Sequence, residues 1–309
     1  MQNNELEQKV VSGLKELDLR VLLNILLKGK KLISFTVIFF SLFALIYSIS
    51  LPNVYKSTTI LTPVEDQDSF SGALESFSGL AGLTGLDLSI KDSISIKAIE
   101  KLNSLSFFEK NIMPNIFLPE LMALDSWNSS SNKLNFDKDT FDQDSNTWVR
   151  SFTHPNKQIP SAQESFEVFK KKHLLITENS INGFITLEIK HQSPYVAYEW
   201  TKLMVSEINS FYREKDKTEA EISIRYLNKQ LAKTSLSEIK QALAELLQIQ
   251  IQKLTLIEAK EAYVFDYIDP PVVMERKAEP NRIIIFLIGI IFGFILGSLI
   301  VIVRFFKKN

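Results

Sequence analysis

Apolar residues run unbroken by any formal charge over residues 32–51 and again over 283–303. At ~1.5 Å rise per residue, a helix of about 20 residues covers the ~30 Å hydrocarbon core of a bilayer. Such a helix satisfies its own backbone hydrogen bonds in lipid, whereas in water its whole apolar surface would be exposed. Both runs predict transmembrane helices. Ahead of the first, a leucine-rich stripe from Leu14 to Leu27 ends at Lys28-Gly29-Lys30-Lys31. It predicts a short helix lying at the membrane interface, with a frayed tail as the alternative.

Between the spans the pattern changes. Residues 54–63 are rich in β-branched side chains and closed by Pro63, which predicts a strand. Gly72, Gly79, Gly82 and Gly85 then punctuate residues 69–89, predicting a mobile loop or a loosely packed helix. Residues 93–110 fit helical spacing imperfectly, with Pro114 and Pro119 expected to stop them, and residues 125–160 read as surface loop with short extended pieces. Further on, Ile185, Leu187 and Ile189 alternate with Phe184, Thr186, Glu188 and Lys190. Joined to residues 172–178 through Asn182-Gly183, they predict a hairpin with one buried face.

From Pro194 to about Val264 good helix formers follow one another without glycine or a further proline. Unbroken, that helix would reach about 100 Å. A break is expected at Thr234–Glu238, where Ser235 and Glu238 have the spacing of a capping box. Beyond it Leu236, Ile239, Leu243, Leu246, Leu247, Leu254 and Ile257 recur at three- and four-residue steps, an apolar stripe wide enough to seek a partner. Residues 264–268 read as a strand returning to the sheet, and Pro270, Pro271, Pro280, Asn281 and Arg282 lead stiffly into the second span. The expected fold is α+β: two transmembrane helices flank an exported domain that has a small membrane-proximal sheet and a long helical extension. The corresponding segments are a cytoplasmic stretch 1–31, spans 32–51 and 283–303, a domain 52–282 and a tail 304–309.

Charge orients the chain. Lys9, Lys15, Arg20, Lys28, Lys30, Lys31, Arg304, Lys307 and Lys308 lie on the terminal sides of the spans, against Lys56, Arg276, Lys277 and Arg282 on the other. The positive-inside rule then places both termini in the cytoplasm and exports the central domain. A 31-residue charged lead and the absence of a small-x-small site at Leu51-Pro52-Asn53 argue against a cleaved signal peptide. The net charge of −1 gives no pull toward nucleic acid, and the chain has no cysteine.

Chemistry finds little purchase. His154, His173 and His191 are too far apart in sequence for a helical metal pair, and they read as ordinary surface or strand residues. Asn135, Asp137 and Asp139 mimic the start of a calcium loop, but Thr140 occupies its glycine position and Asn146 its closing glutamate. Neither a G-x-S-x-G elbow nor a GxxxxGK loop occurs, so no catalytic residue, cofactor or metal is assigned and the chain is not expected to be an enzyme. The sharpest local signal is Gly289, Gly293 and Gly297 in the second span, which strip bulk from one helix face. Ser34, Ser41 and Ser48, with Ala44 beside them, form a narrow stripe in the first span. The two stripes are expected to pack together or to face a partner membrane protein, unless the glycines simply reflect membrane-helix composition.

In layout the chain resembles the chain length determinant proteins, the Wzz-type polysaccharide co-polymerases. Carrying the resemblance are Asp18-Leu19-Arg20 through Lys31, the Leu51–Ser57 run, the glycine- and leucine-rich segment 71–85, Tyr267 to Pro271, Pro280-Asn281-Arg282 and the glycine-spaced second span. The resemblance implies a homo-oligomeric, ring-forming regulator of O-antigen or related glycan length, held in the bacterial inner membrane with its central domain periplasmic. It would work beside an integral-membrane polysaccharide polymerase on a lipid-linked glycan and carry no catalytic residues. Relatives with an added tyrosine kinase, and membrane sensors with an output module, both need more than residues 304–309 after the second span. A membrane-anchored periplasmic scaffold or sensor without a role in polymer length is the competing reading.

Overall fold

A computed structural model describes residues 19–64 and 94–308. The glycine-rich segment 69–89 and the Leu14 and Leu17 part of the leucine stripe lie outside the described residues. In chain order the elements are α1 (Leu19–Lys28), α2 (Lys30–Ser50), β1 (Tyr55–Pro63), α3 (Ile94–Leu102), α4 (Leu105–Phe107), α5 (Leu118–Met122), β2 (Leu124–Asn128), β3 (Lys133–Phe136), β4 (Phe141–Asp142), β5 (Thr147–Trp148), α6 (Ala162–Val168), β6 (Leu174–Glu178), β7 (Ile185–His191), α7 (Pro194–Lys233), α8 (Ser237–Ala259), β8 (Phe265–Asp269) and α9 (Arg282–Lys308). They fall into two units. One comprises the chain up to Asn53 and from Ala278 onward, the other Val54–Lys277.

In the second unit a four-stranded antiparallel sheet has the order β6-β7-β1-β8. Alternation sets its buried face. On β7 Ile185, Leu187, Ile189 and His191 point inward, and on β1, paired through Thr59↔Leu187 and Leu61↔Ile185, Ser57, Thr59 and Leu61 do the same. Against this face lies the first half of α7, whose Ala197, Trp200, Met204, Val205, Ile208 and Tyr212 recur at three- and four-residue steps. Burying each such aliphatic side chain contributes about 1.5–3 kcal/mol, so this layer is the main source of stability in the unit. Gly183 takes the positive φ of 69° that the β6–β7 turn requires.

Residues 94–123 depart from the expected single imperfect helix. Ser104 ends the helical run and its Oγ accepts the Phe107 N–H at 3.3 Å, opening the one-turn α4. A π-helical turn over Phe108–Ile112 then sends Phe107, Phe108 and Ile112 into the core together. Pro119 opens a helix instead of stopping one. It sits in the first turn of α5, where a missing N–H leaves no bond unmade. Residues 125–160 hold the small hairpins β2–β3 and β4–β5, and Arg150 fixes the segment by bonding both carboxylate oxygens of Glu164 and the carbonyls of Lys157 and Gln158.

Nor is the long helix continuous. α7 has 40 residues and α8 has 23, and the chain reverses between them through Thr234, Ser235 and Leu236. Thr234 closes α7 on the Gln230 carbonyl, and extended backbone at Thr234 and Leu236 makes the turn. The expected capping box does not form: Leu236 takes the N-cap position without a side-chain bond, which leaves Ser235 one residue too early to pair with Glu238. The arms are tied near their open end by Lys217–Glu258 at 2.5 Å, by Arg213 on the Lys260 and Glu261 carbonyls, and by Tyr263 Oη–Asp216 at 2.5 Å.

One polar clamp was not foreseen. Asn209 on α7 accepts the Val264 and Phe265 N–H groups at 2.7 and 3.0 Å and donates to the Phe265 carbonyl at 2.9 Å. It thus pins edge strand β8 to the helix. Asn209→Ala would strand three polar groups at that edge and is expected to destabilise the unit by about 2–4 kcal/mol; chemical denaturation measures it, and a loss under half a kcal/mol would contradict the clamp.

Candidate functional site

The glycine stripe of α9 packs on α2. A Cβ placed on Gly289 would lie 2.5 Å from Ala44 Cβ, and one on Gly293 would lie 2.8 Å from Val37 Cα and 2.9 Å from the Thr36 carbonyl. At Gly297 it would meet Thr36 Oγ1 and lie 3.0 Å from Ile33 Cα. Because Gly289 faces residue 44 and Gly297 faces residue 33, the helices run antiparallel. Only the missing side chains let the backbones approach so closely. Thr36 Oγ1, which bonds Ile33 O at 2.9 Å, also lies 3.1 Å from Gly293 O, and Phe40 meets Phe292 edge-on at 5.2 Å.

The contacting face of α2 is Ile33, Thr36, Val37, Phe40 and Ala44, with Ser48 buried further along. Of the serine stripe, Ser41 Cα would lie 3.5 Å from a Cβ on Gly289, Ser48 is buried, and Ser34 is exposed. Seven residues fall slightly short of two full turns, so serines seven apart drift by ~20° per step across the face. That drift carries Ser34 off the contact line. Outside this contact both helices present apolar side chains to their surroundings, Phe35 at 71% and Ile283 at 72% exposure among them. Both are long and apolar enough to cross a membrane.

The residues leading into α9 serve different ends. Asn281 caps the helix, its Oδ1 accepting the Ile284 N–H at 3.3 Å, while Arg282 reaches Asn53 Oδ1 at 3.3 Å and so links α9 to the end of α2. In the other unit Pro271 is buried, and Ser57 and Thr59 of β1 bond the Val272 and Asp269 carbonyls on either side of the Pro270-Pro271 pair. Pro270 and Pro271 belong to one unit and Pro280 to the other.

The α8 stripe is unevenly buried. Leu243, Leu247 and Leu254 are half-buried and Ile257 is buried, the spacing of a seam against α7, where Ala220 is also buried. Leu236, Ile239 and Leu246 stay exposed at 58, 46 and 40%, as does Leu256. Ile222 and Tyr226 are exposed on α7 as well. One hairpin therefore leaves apolar side chains unburied along much of its length.

Of the histidines, His154 is a surface residue and His191 a strand residue, as expected, whereas His173 ends the π-helical turn before β6. His154 is exposed, but His191 is buried and His173 nearly so, and their rings lie 5.7 Å apart against Trp200. Burial lowers both to about 4, and neither faces a carboxylate bond. They are neutral core residues. Nearby, burial raises the Glu120 carboxyl to about 6. No group of three metal-ligating side chains forms among the described residues.

Residues 15–113 match the family model described as Wzz, chain length determinant protein. No curated protein matches the chain. Among solved structures it is similar to a full-length bacterial polysaccharide co-polymerase at 14% identity, over 96% of this chain and 99% of that one, with a TM-score of 0.38. It is also similar to a fragment of WzzB, polysaccharide co-polymerase from Salmonella Typhimurium, at 14% identity over 74% and 100% of the two chains, with a TM-score of 0.30. A mutant of the Shigella flexneri lipopolysaccharide O-antigen chain-length regulator matches at 11% identity over 72% and 99%, with a TM-score of 0.25.

Proposed function

We propose, from the match of residues 15–113 to the chain length determinant model, that this protein regulates the chain length of a surface polysaccharide, O-antigen or a related glycan, as an oligomeric inner-membrane co-polymerase. The family match is the observation that carries the reading. In this reading α2 and α9 cross the inner membrane with both termini in the cytoplasm, and Val54–Lys277 lies in the periplasm. The protein acts by assembly and contact, with a polysaccharide polymerase and a lipid-linked glycan as partners and no bond-breaking step of its own. The deciding experiment is deletion of the gene followed by gel separation of surface polysaccharide. Loss of a preferred size, restored by complementation, supports the role; an unchanged distribution leaves a scaffold or sensor.

Self-association is proposed to cover the exposed apolar side chains of the hairpin. Leu246 is 40% exposed in the single chain, so Leu246→Glu should leave the protomer folded while placing a charge in the contact. Losing the burial of even one leucine per contact costs about 1.5–3 kcal/mol, which weakens each contact at least tenfold. Native mass spectrometry of the full chain in mild detergent should show smaller assemblies for the variant. Assemblies of unchanged size and stability would rule out this seam.

A further inference from the structure

We infer that the junction of α1, α2 and α9 binds the phosphate headgroup of an anionic phospholipid. Lys28, Gly29, Lys31 and Arg304 border a cavity of about 380 Å³ whose remaining lining is apolar, with Ile25, Leu32, Val301 and Phe305 in the wall. Gly29 makes it possible: a Cβ there would run into Val301, so the α1–α2 turn presses directly on the end of α9. Its three cations come from three different helices and are exposed at the rim. Among the described residues of this unit the sole acid is Glu279, at the opposite end of α9, and no ion pair reaches Lys28, Lys31 or Arg304.

Helix dipoles explain part of this charge and leave the rest. Lys28 and Arg304 lie at C-terminal ends, where a cation is favourable. Lys31 lies in the first turn of α2, with no acidic residue to offset it, and a cation there opposes the dipole. An anion held between the three cations removes that conflict. The apolar wall selects a lipid over a free phosphate, and the exposed Leu27, Val303 and Phe306, each next in sequence to a lining residue, are where acyl chains would lie. Basic cavities between helix ends at the bilayer surface suit such headgroups.

The inference rests on the bilayer placement proposed above. Its test is native mass spectrometry of the full chain with equimolar dioleoylphosphatidylglycerol and dioleoylphosphatidylcholine. Each cation near an anionic headgroup supplies about a fivefold preference, so phosphatidylglycerol should be retained at least tenfold over phosphatidylcholine. The triple change Lys28→Gln, Lys31→Gln and Arg304→Gln should bring the two lipids near parity, while Lys307→Gln, outside the cavity, should keep the preference. Millimolar inorganic phosphate should not displace the lipid. Parity in the unaltered protein, a preference that survives the triple change, or displacement by phosphate would each overturn the inference. Failure of the bilayer placement reads differently, as release of the chain from membranes by alkaline carbonate.

Discussion

Gly293→Leu is expected to force α2 and α9 apart. A Cβ at this position meets the Val37 Cα at 2.8 Å and the Thr36 carbonyl at 2.9 Å. Both are backbone atoms that no rotamer change can move. Overpacking of this kind costs typically 1–3 kcal/mol, and the Thr36 contact to the Gly293 carbonyl, worth up to about 1 kcal/mol or slightly more, is lost with it. A total of roughly 3 kcal/mol corresponds to a shift of about a hundredfold between paired and separated helices. The chain contains no cysteine, so a cysteine pair at Phe40 and Phe292, whose rings are 5.2 Å apart, reports the approach cleanly. Crosslinking should be rapid in the parent and slowed by an order of magnitude or more with Gly293→Leu. An unchanged rate would mean that the glycine face is incidental.

Acid should loosen the sheet unit through its two inner histidines. Ser193 N–H donates to His191 Nδ1 at 3.0 Å, so that nitrogen carries no proton and Nε2–H donates to the Glu120 carbonyl at 3.2 Å. His173 likewise bonds the Lys190 carbonyl through Nδ1 at 2.6 Å. Protonating His191 would set one N–H against another. Burial depresses both groups from 6.5 to about 4, so their contribution is complete above the unfolded value and is lost as pH falls through the folded one. A shift of that size corresponds to about 3 kcal/mol per histidine once both states are protonated. Glu120 works the other way, because its raised value favours the neutral acid and offsets part of the loss below about pH 6. Lys172, beside His173, adds to the depression. Urea unfolding followed through Trp200, which touches both rings, should lose several kcal/mol between pH 7 and pH 4.5. His191→Gln should roughly halve that slope while being less stable at neutral pH. Equal slopes would remove His191 as a cause.

Where periodicity alone decides an element, the sequence was enough. The strand after the first span, the hairpin through Asn182-Gly183, the two apolar helices and the interruption near Ser235 all follow from spacing and turn chemistry. Local competition hid the rest. Ser104 capping a new turn and Pro119 opening one are choices of a single residue between two roles, and the packing of Phe107, Phe108 and Ile112 decides them. The uneven burial of the α8 stripe could not be read from spacing, because residues on one face differ in exposure and only the path of α7 says which are covered. His191 was within reach: it has the same parity as Ile185, Leu187 and Ile189 on β7. Asn209 gave a weaker signal, a polar residue beside the buried Ile208.

The unequal arms of the hairpin, 40 residues against 23, separate two jobs along one helix. The N-terminal part of α7 belongs to the sheet, and only the remainder has α8 as its companion. Adding or removing seven residues in both arms would move the tip by about 10.5 Å while preserving the heptad register between them. Reach is thereby a dimension that insertions and deletions can tune without disturbing the residues that hold the protomer together.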